Sequence, residues 1–180
     1  MTRVSGPIVA AEGMFEAQMY EVVRVGELGL VGEVVQLVGE RATIQVYEDT
    51  AMLAPGAPVQ LTGAPLSVEL GPGLVGTIYD GIQRPLAAIA SRSGAWIHRG
   101  ERTDAIDPSR RWGFEPGIAP GAAVRGGEAL GEVQETPLVR HRVMVPPELA
   151  GVLVSIAPKG DYTVRDTVAV VRCDGVDREV

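Results

Sequence analysis

Apolar residues along this chain come in short, Val-rich runs broken by glycine and proline, the pattern of many short strands joined by turns. The cleanest alternation is RATIQVY. Ala42, Ile44 and Val46 fall on one face there, and Thr43, Gln45 and Tyr47 on the other, as in a strand with one buried side. Val38-Gly39-Glu40, just before it, predicts a tight hairpin turn. Comparable runs predict strands at Arg3 to Ala10, Tyr20 to Val25, Leu30 to Leu37, Arg41 to Tyr47, Pro58 to Leu61 and Ser67 to Leu70. About six short strands so closely spaced predict a small closed β-barrel, which leaves no edge unpaired.

The period changes once. In IQRPLAAIASR the apolar positions 82, 86, 89 and 90 have helical spacing, with Pro85 suited to a first turn, and this predicts one short helix between Ile82 and Arg92. From Trp112 onward a second set of short strands is expected, divided by turn pairs such as Pro120-Gly121 and Gly126-Gly127. Within it Val139, His141, Val143 and Val145 share one strand face, and Val152, Val154 and Ile156 share another. The expected fold is mainly β: a six-stranded barrel over 1–70, a linker with one short helix over 71–110, and a second β-rich module over 111–180.

Composition narrows the function. The 180 residues, 46% of them apolar, suffice for a real core. No run approaches the ~20 apolar residues that span a bilayer, and MTRVSGPIVAAEG lacks a signal-peptide core, so a cytoplasmic protein with no direct membrane insertion is expected. Asp and Glu outnumber Lys and Arg by 23 to 16, and aromatics are 4% of the chain; both facts oppose nucleic-acid binding. Cys173 stands alone, which excludes an intrachain disulfide and a cysteine-based zinc cluster.

The chemical motifs weaken on inspection. GPGLVG, residues 71 to 76, fits the dinucleotide fingerprint G-x-G-x-x-G and follows a strand-like SVEL. The TIYDG after it is turn-like rather than the start of a helix, so no helix N-terminus faces the glycines. Lys159 is the only lysine, and Ala157-Pro158-Lys159-Gly160-Asp161 cannot form a P-loop. His98 and His141 are too few for a histidine-rich metal site. Glu48-Asp49 reads as a turn in YEDT, with Asp and Thr capping local backbone, and Ser67, Ser91, Ser93 and Ser155 lack a nucleophile setting. No catalytic, cofactor-binding or metal-ligating residue is assigned, and no cofactor is expected for this chain alone.

Two resemblances remain. PGAAVRGGEALGEV followed by VMVPPELAGVLVSIAPKGDYTVRD resembles the barrel-sandwich rhythm of lipoyl and biotinyl domains. Those domains carry a modified lysine at a hairpin tip; the corresponding ETPL, Glu135 to Leu138, has none, which leaves a carrier role only through Lys159. The chain as a whole resembles the N-terminal part of the catalytic A subunit of V/A-type rotary ATPases. The resemblance is carried by VYEDT, VELGPGLVGTIYDGIQRPL and the VPPELAG-to-DYTV segment.

That resemblance implies a collar barrel, the first elements of a nucleotide-binding domain, and an inserted bulge. It implies neighbouring B subunits around a ring, and stator or regulatory subunits as partners of the bulge. It also implies a place at the membrane periphery within a larger complex. Mg-ATP hydrolysis or synthesis coupled to proton or sodium transport belongs to the intact subunit, because the family's P-loop has no counterpart before CDGVDREV. A free-standing β-domain regulator is the alternative. In the GPGLVG passage, Asp80 is expected to pair with Arg84.

Overall fold

The computed structural model describes all 180 residues, which divide into two compact units. Residues 1–68 and 79–103 make the first, and residues 69–78 and 104–180 the second.

The first unit contains β1 (Arg3–Ser5), β2 (Ile8–Ala11), β3 (Glu21–Val25), β4 (Leu30–Val38), β5 (Arg41–Val46) and β6 (Val59–Pro65). They form one antiparallel sheet in the order β1-β2-β5-β4-β3-β6. The sheet's two ends are bridged: the Met1 amino group donates to the Ala57 carbonyl (3.0 Å), and the Gly56 amide to the Met1 carbonyl (2.9 Å). Alternation fills the interior, where Val9, Val23, Val25, Leu30, Val34 and Ile44 are fully buried. Ala42 and Val46 join Ile44 there, while Thr43, Gln45 and Tyr47 point away, as the alternation predicts.

The strand expected over Arg3 to Ala10 is two strands. Ser5 pairs with Ile8 across Gly6 (φ 57°) and Pro7, a turn that a single extended strand could not contain. Ser67 to Leu70 is not a strand. Residues 66–70 belong to no strand, and Leu66, Val68 and Leu70 are exposed.

The helix α1 (Leu86–Ser93) is shorter than expected at its start. Pro85 is extended (φ −70°, ψ 114°) and stands outside the helix as its N-cap rather than within the first turn. Gly94 (φ 77°) ends the helix, and Ile89 is its buried residue. No helix is long and apolar enough to cross a membrane.

The second unit contains β7 (Trp112–Pro116), β8 (Ala123–Arg125), β9 (Ala129–Thr136), β10 (Val139–Met144), β11 (Ala150–Ile156), β12 (Gly160–Tyr162), β13 (Ala169–Cys173) and β14 (Val176–Glu179). They form two four-stranded sheets, β10-β9-β7-β12 and β14-β13-β11-β8. Val124, Leu130, Val145, Leu153, Ala169 and Val171 make one apolar cluster, Trp112, Phe114 and Val133 another, and Ile156 packs on both.

On β11 the buried face is the opposite of the one the valines suggest. Leu153 is fully buried whereas Val152 and Val154 are exposed. A register shift between Leu153 and Ser155 then turns Ile156 inward.

Candidate functional site

Besides Glu21, which is 2% exposed and accepts the Gln18 and Gly63 amides, the multiply bonded and largely buried polar groups gather around two loops. The first is the turn after Ile78. Asp80 Oδ1 accepts from the amides of Ile82 (3.1 Å) and Arg84 (2.8 Å), and Oδ2 accepts from Arg84 Nε (2.7 Å). The expected Asp80 to Arg84 pair is therefore present, and it closes the turn on itself. Arg84 Nη1 reaches further, to Glu48 Oε2 (3.5 Å) and the Glu101 carbonyl (3.2 Å).

Glu48 is the least exposed member of this node, its side chain 7% exposed against 13% for Arg84 and 18% for Asp80. Its Oε1 accepts from the Val31 amide (3.2 Å) and its Oε2 from the Gly100 amide (2.7 Å). Glu101 extends the node, accepting from the Ser93 hydroxyl and the His98 amide. One carboxylate and one guanidinium thus join β4, the turn after β5, the turn before α1 and the loop after it. This is positioning chemistry: each carboxylate oxygen of the node is occupied by an internal donor, the Ser93 hydroxyl among them.

Burial alone would raise the Asp80 pKa, but the amide and guanidinium of Arg84, the Ile82 amide and the charge of Arg84 together outweigh it and hold it below the ordinary carboxylate range. A depressed folded pKa contributes stability above the unfolded pKa, near 3.9, and loses it as pH falls through the folded value. Stability measured by denaturant titration should accordingly drop below about pH 4, and Asp80→Asn should flatten part of that drop. An unchanged acid limb in the variant would contradict this.

The second loop is GPGLVG. Gly73 and Gly76 have φ of 108° and 85°, the region that favours glycine, and a Cβ at Gly73 would also stand 3.2 Å from the Trp112 ring. No helix follows. The amides of Gly73 and Val75 both donate to Glu135 Oε1, at 2.7 and 2.9 Å. The loop does gather two amides on an anion, but that anion is a carboxylate of its own chain.

The remaining candidates do not assemble into a site. Lys159 is 75% exposed and paired with Glu115, whose carboxyl it holds below the usual range by hydrogen bonding and charge. It lies between β11 and β12, away from the β9–β10 turn where a carrier lysine would stand. A cleft of about 330 Å³ lies on β10-β9-β7-β12, where Lys159 pairs with Glu115 and Arg140 with Glu132, and Asp161 adds a further carboxylate to the lining. His141 is a half-buried residue of β10 opposite Val133, and His98 contributes its backbone amide to Glu101. The hydroxyls of Ser91 and Ser93 are committed to the Ala88 carbonyl and Glu101. No group of three or more His, Cys, Asp or Glu is placed to hold a metal ion.

The local backbone cap expected of Asp49 is present, whereas Thr50 bonds far along the chain instead of locally. Asp49 accepts from the Ala51 amide, and Thr50 donates to the Gly6 carbonyl. Sequence reasoning missed Glu48. The signal was present: Glu48 continues the inward phase of Ala42, Ile44 and Val46.

Residues 1–63 match the beta-barrel domain of the ATP synthase alpha/beta family, and residues 103–180 match the barrel-sandwich domain of the ATP synthase alpha/beta subunit. The chain belongs to the ATP synthase alpha/beta family. It is 56% identical over 99% of its length to the A subunit of the A-type ATP synthase of Hyperthermus butylicus, of which it accounts for 30%. It is 50% identical over its whole length to the corresponding protein of Thermococcus sibiricus, covering 31% of it. The Pyrococcus horikoshii protein of the same name matches at 54% over 94% of this chain, which covers 18% of that relative. This ATP synthase alpha/beta chain therefore spans less than a third of the relatives' length, and the match lies in their N-terminal part.

Proposed function

We propose that the chain is the assembly portion of the catalytic A subunit in a V/A-type complex. It comprises a collar barrel over 1–70, a connector carrying the first elements of the nucleotide-binding domain over 71–110, and an inserted bulge over 111–180. The observation that carries the proposal is the order of the two matched domains, barrel then barrel-sandwich, along one chain at 50% to 56% identity to A subunits of A-type ATP synthases.

The barrel's bridged ends leave its outer surface, rather than an open edge, for packing against neighbouring B subunits in a ring. Exposure within and just before the connector supports its assignment: Leu66, Val68, Trp96 and Ile97 are 42%, 62%, 80% and 47% exposed, apolar surface suited to packing against the rest of a longer subunit. Stator or regulatory subunits fit the bulge as its partners. The intact subunit would bind Mg-ATP and couple its hydrolysis or synthesis to proton or sodium transport, at the periphery of a membrane-bound complex. This chain contributes rigidity and neighbours to that work and has no Walker lysine of its own.

Calorimetry of this chain with Mg-ATP should show no binding, and sedimentation after addition of the cognate B subunit should show a heavier species. Micromolar Mg-ATP binding, or no association with B at tens of micromolar, would overturn the proposal.

A further inference from the structure

We propose that the β9–β10 hairpin is a lever that sets the conformation of the 71–77 loop, with Glu135 as the positioning residue that grips it. This goes beyond an assembly role and stands on contacts within the second unit alone.

Three observations converge on it. The first is the register of the hairpin. Val139 pairs with Thr136 and Arg140 with Gln134, so Glu135 is the extra residue of a β-bulge. A bulge redirects a side chain out of the regular ladder, and here it delivers a carboxylate to a loop 60 residues away in sequence.

The second is how the loop is held. Both amide bonds end on a single oxygen, Oε1, and hydrogen bonds to a charged acceptor are about twice as strong as neutral ones. Inside the loop, Thr77 returns its amide to the Leu74 carbonyl and its hydroxyl to the Gly73 carbonyl, making one compact turn. Apolar burial is concentrated at the start of the loop, where Gly71 and Pro72 are buried, while Val75 is 52% exposed. Past Pro72, Glu135 is therefore the anchor, holding the Gly73 and Val75 amides.

The third is the stiffness of the hairpin tip. Thr136 Oγ1 accepts from the amides of Leu138 and Val139, and the Gln134 side-chain amide donates to the carbonyls of Thr136 and Val139. A tip tied this way moves as a unit, so displacement of the hairpin carries Glu135 and the amides it holds.

Amide hydrogen exchange resolved by NMR on this chain tests the lever. In Glu135→Ala, exchange at Gly73 and Val75 should rise about tenfold or more, while Phe114, Leu130 and Leu153 stay within about twofold of the parent. Glu135→Gln keeps one acceptor oxygen and should give an intermediate rise, a rescue that a purely space-filling role would not produce. Unchanged exchange at Gly73 and Val75 in the alanine variant would overturn the proposal. So would acceleration of Phe114, Leu130 and Leu153 to the same degree, because Glu135 would then hold up the sandwich as a whole. Equal exchange in the glutamine and alanine variants would also overturn it.

Discussion

Glu48→Ala should lower the unfolding free energy of this chain by about 3 kcal/mol, a cost dominated by orphaned backbone amides rather than by the lost ion pair. Glu48 and Arg84 approach only to 3.5 Å, and Arg84 keeps Asp80 at 2.7 Å and the Glu101 carbonyl when Glu48 is removed. The amides of Val31 and Gly100, in contrast, lose their acceptor at a site that is nearly closed to water. A buried donor left without a partner costs about 1–3 kcal/mol, and two such losses set the magnitude. Glu48→Gln retains one carbonyl oxygen and should cost about half as much. A double-mutant cycle with Arg84→Leu should give a coupling smaller than the single-variant cost of Glu48→Ala. Urea titration followed by far-UV circular dichroism measures all of these at unchanged slope. A cost below about 1 kcal/mol for Glu48→Ala would mean that water reaches the two amides.

Glu48 is one of three glutamates with a shared design. Each stands two residues from a buried valine on or beside a strand, and each accepts two backbone amides from separate stretches of chain or from one loop. Glu48 follows Ala42, Ile44 and Val46 and takes Val31 and Gly100. Glu21, 2% exposed, precedes Val23 and Val25 and takes Gln18 and Gly63. Glu135 comes two residues after Val133 and takes Gly73 and Val75. A carboxylate offers several lone pairs at once, which suits it to gathering amides that have no backbone acceptor, in a loop or at an irregular point of a strand.

This regularity marks what was legible in the sequence. Alternation located the barrel strands and placed Ala42, Ile44 and Val46 inside, because one buried face imposes a period of two. The same period, continued one step past the last valine, identifies Glu48 as inward-facing. A reading that stops at the polar residue treats it as part of a turn. The misses lie where the chain departs from that period for a local reason. Gly6-Pro7 breaks one apparent strand into a hairpin, Pro85 is extended at a position expected to be helical, and the bulge in β11 exchanges the faces of Val152 and Ile156. GPGLVG reads as turning chain rather than as a cradle, and its grip on a carboxylate was not legible, since nothing local links residue 73 to residue 135.

In the second unit the largest single cost should come from Phe114→Ala, about 3–5 kcal/mol, because the ring is 1% exposed at the centre of the Trp112, Phe114 and Val133 cluster. Tyr162 meets it edge to face, with centroids 6.1 Å apart and planes at 87°, so the variant loses an aromatic contact as well as buried area. Gly131 on the neighbouring strand makes room for the ring: a Cβ there would stand 2.5 Å from Phe114 Cε2 and equally close to the Glu115 carbonyl oxygen. Gly131→Ala should therefore destabilise on its own by about 1–3 kcal/mol through overpacking. Combining the two removes the clash with the ring and leaves the clash with the backbone. The double variant should cost less than the sum of the singles by about 1 kcal/mol, a coupling outside the ~0.3–0.5 kcal/mol scatter of independent sites. Strict additivity in equilibrium denaturation would show that the ring yields freely and that only the Glu115 carbonyl enforces glycine at position 131.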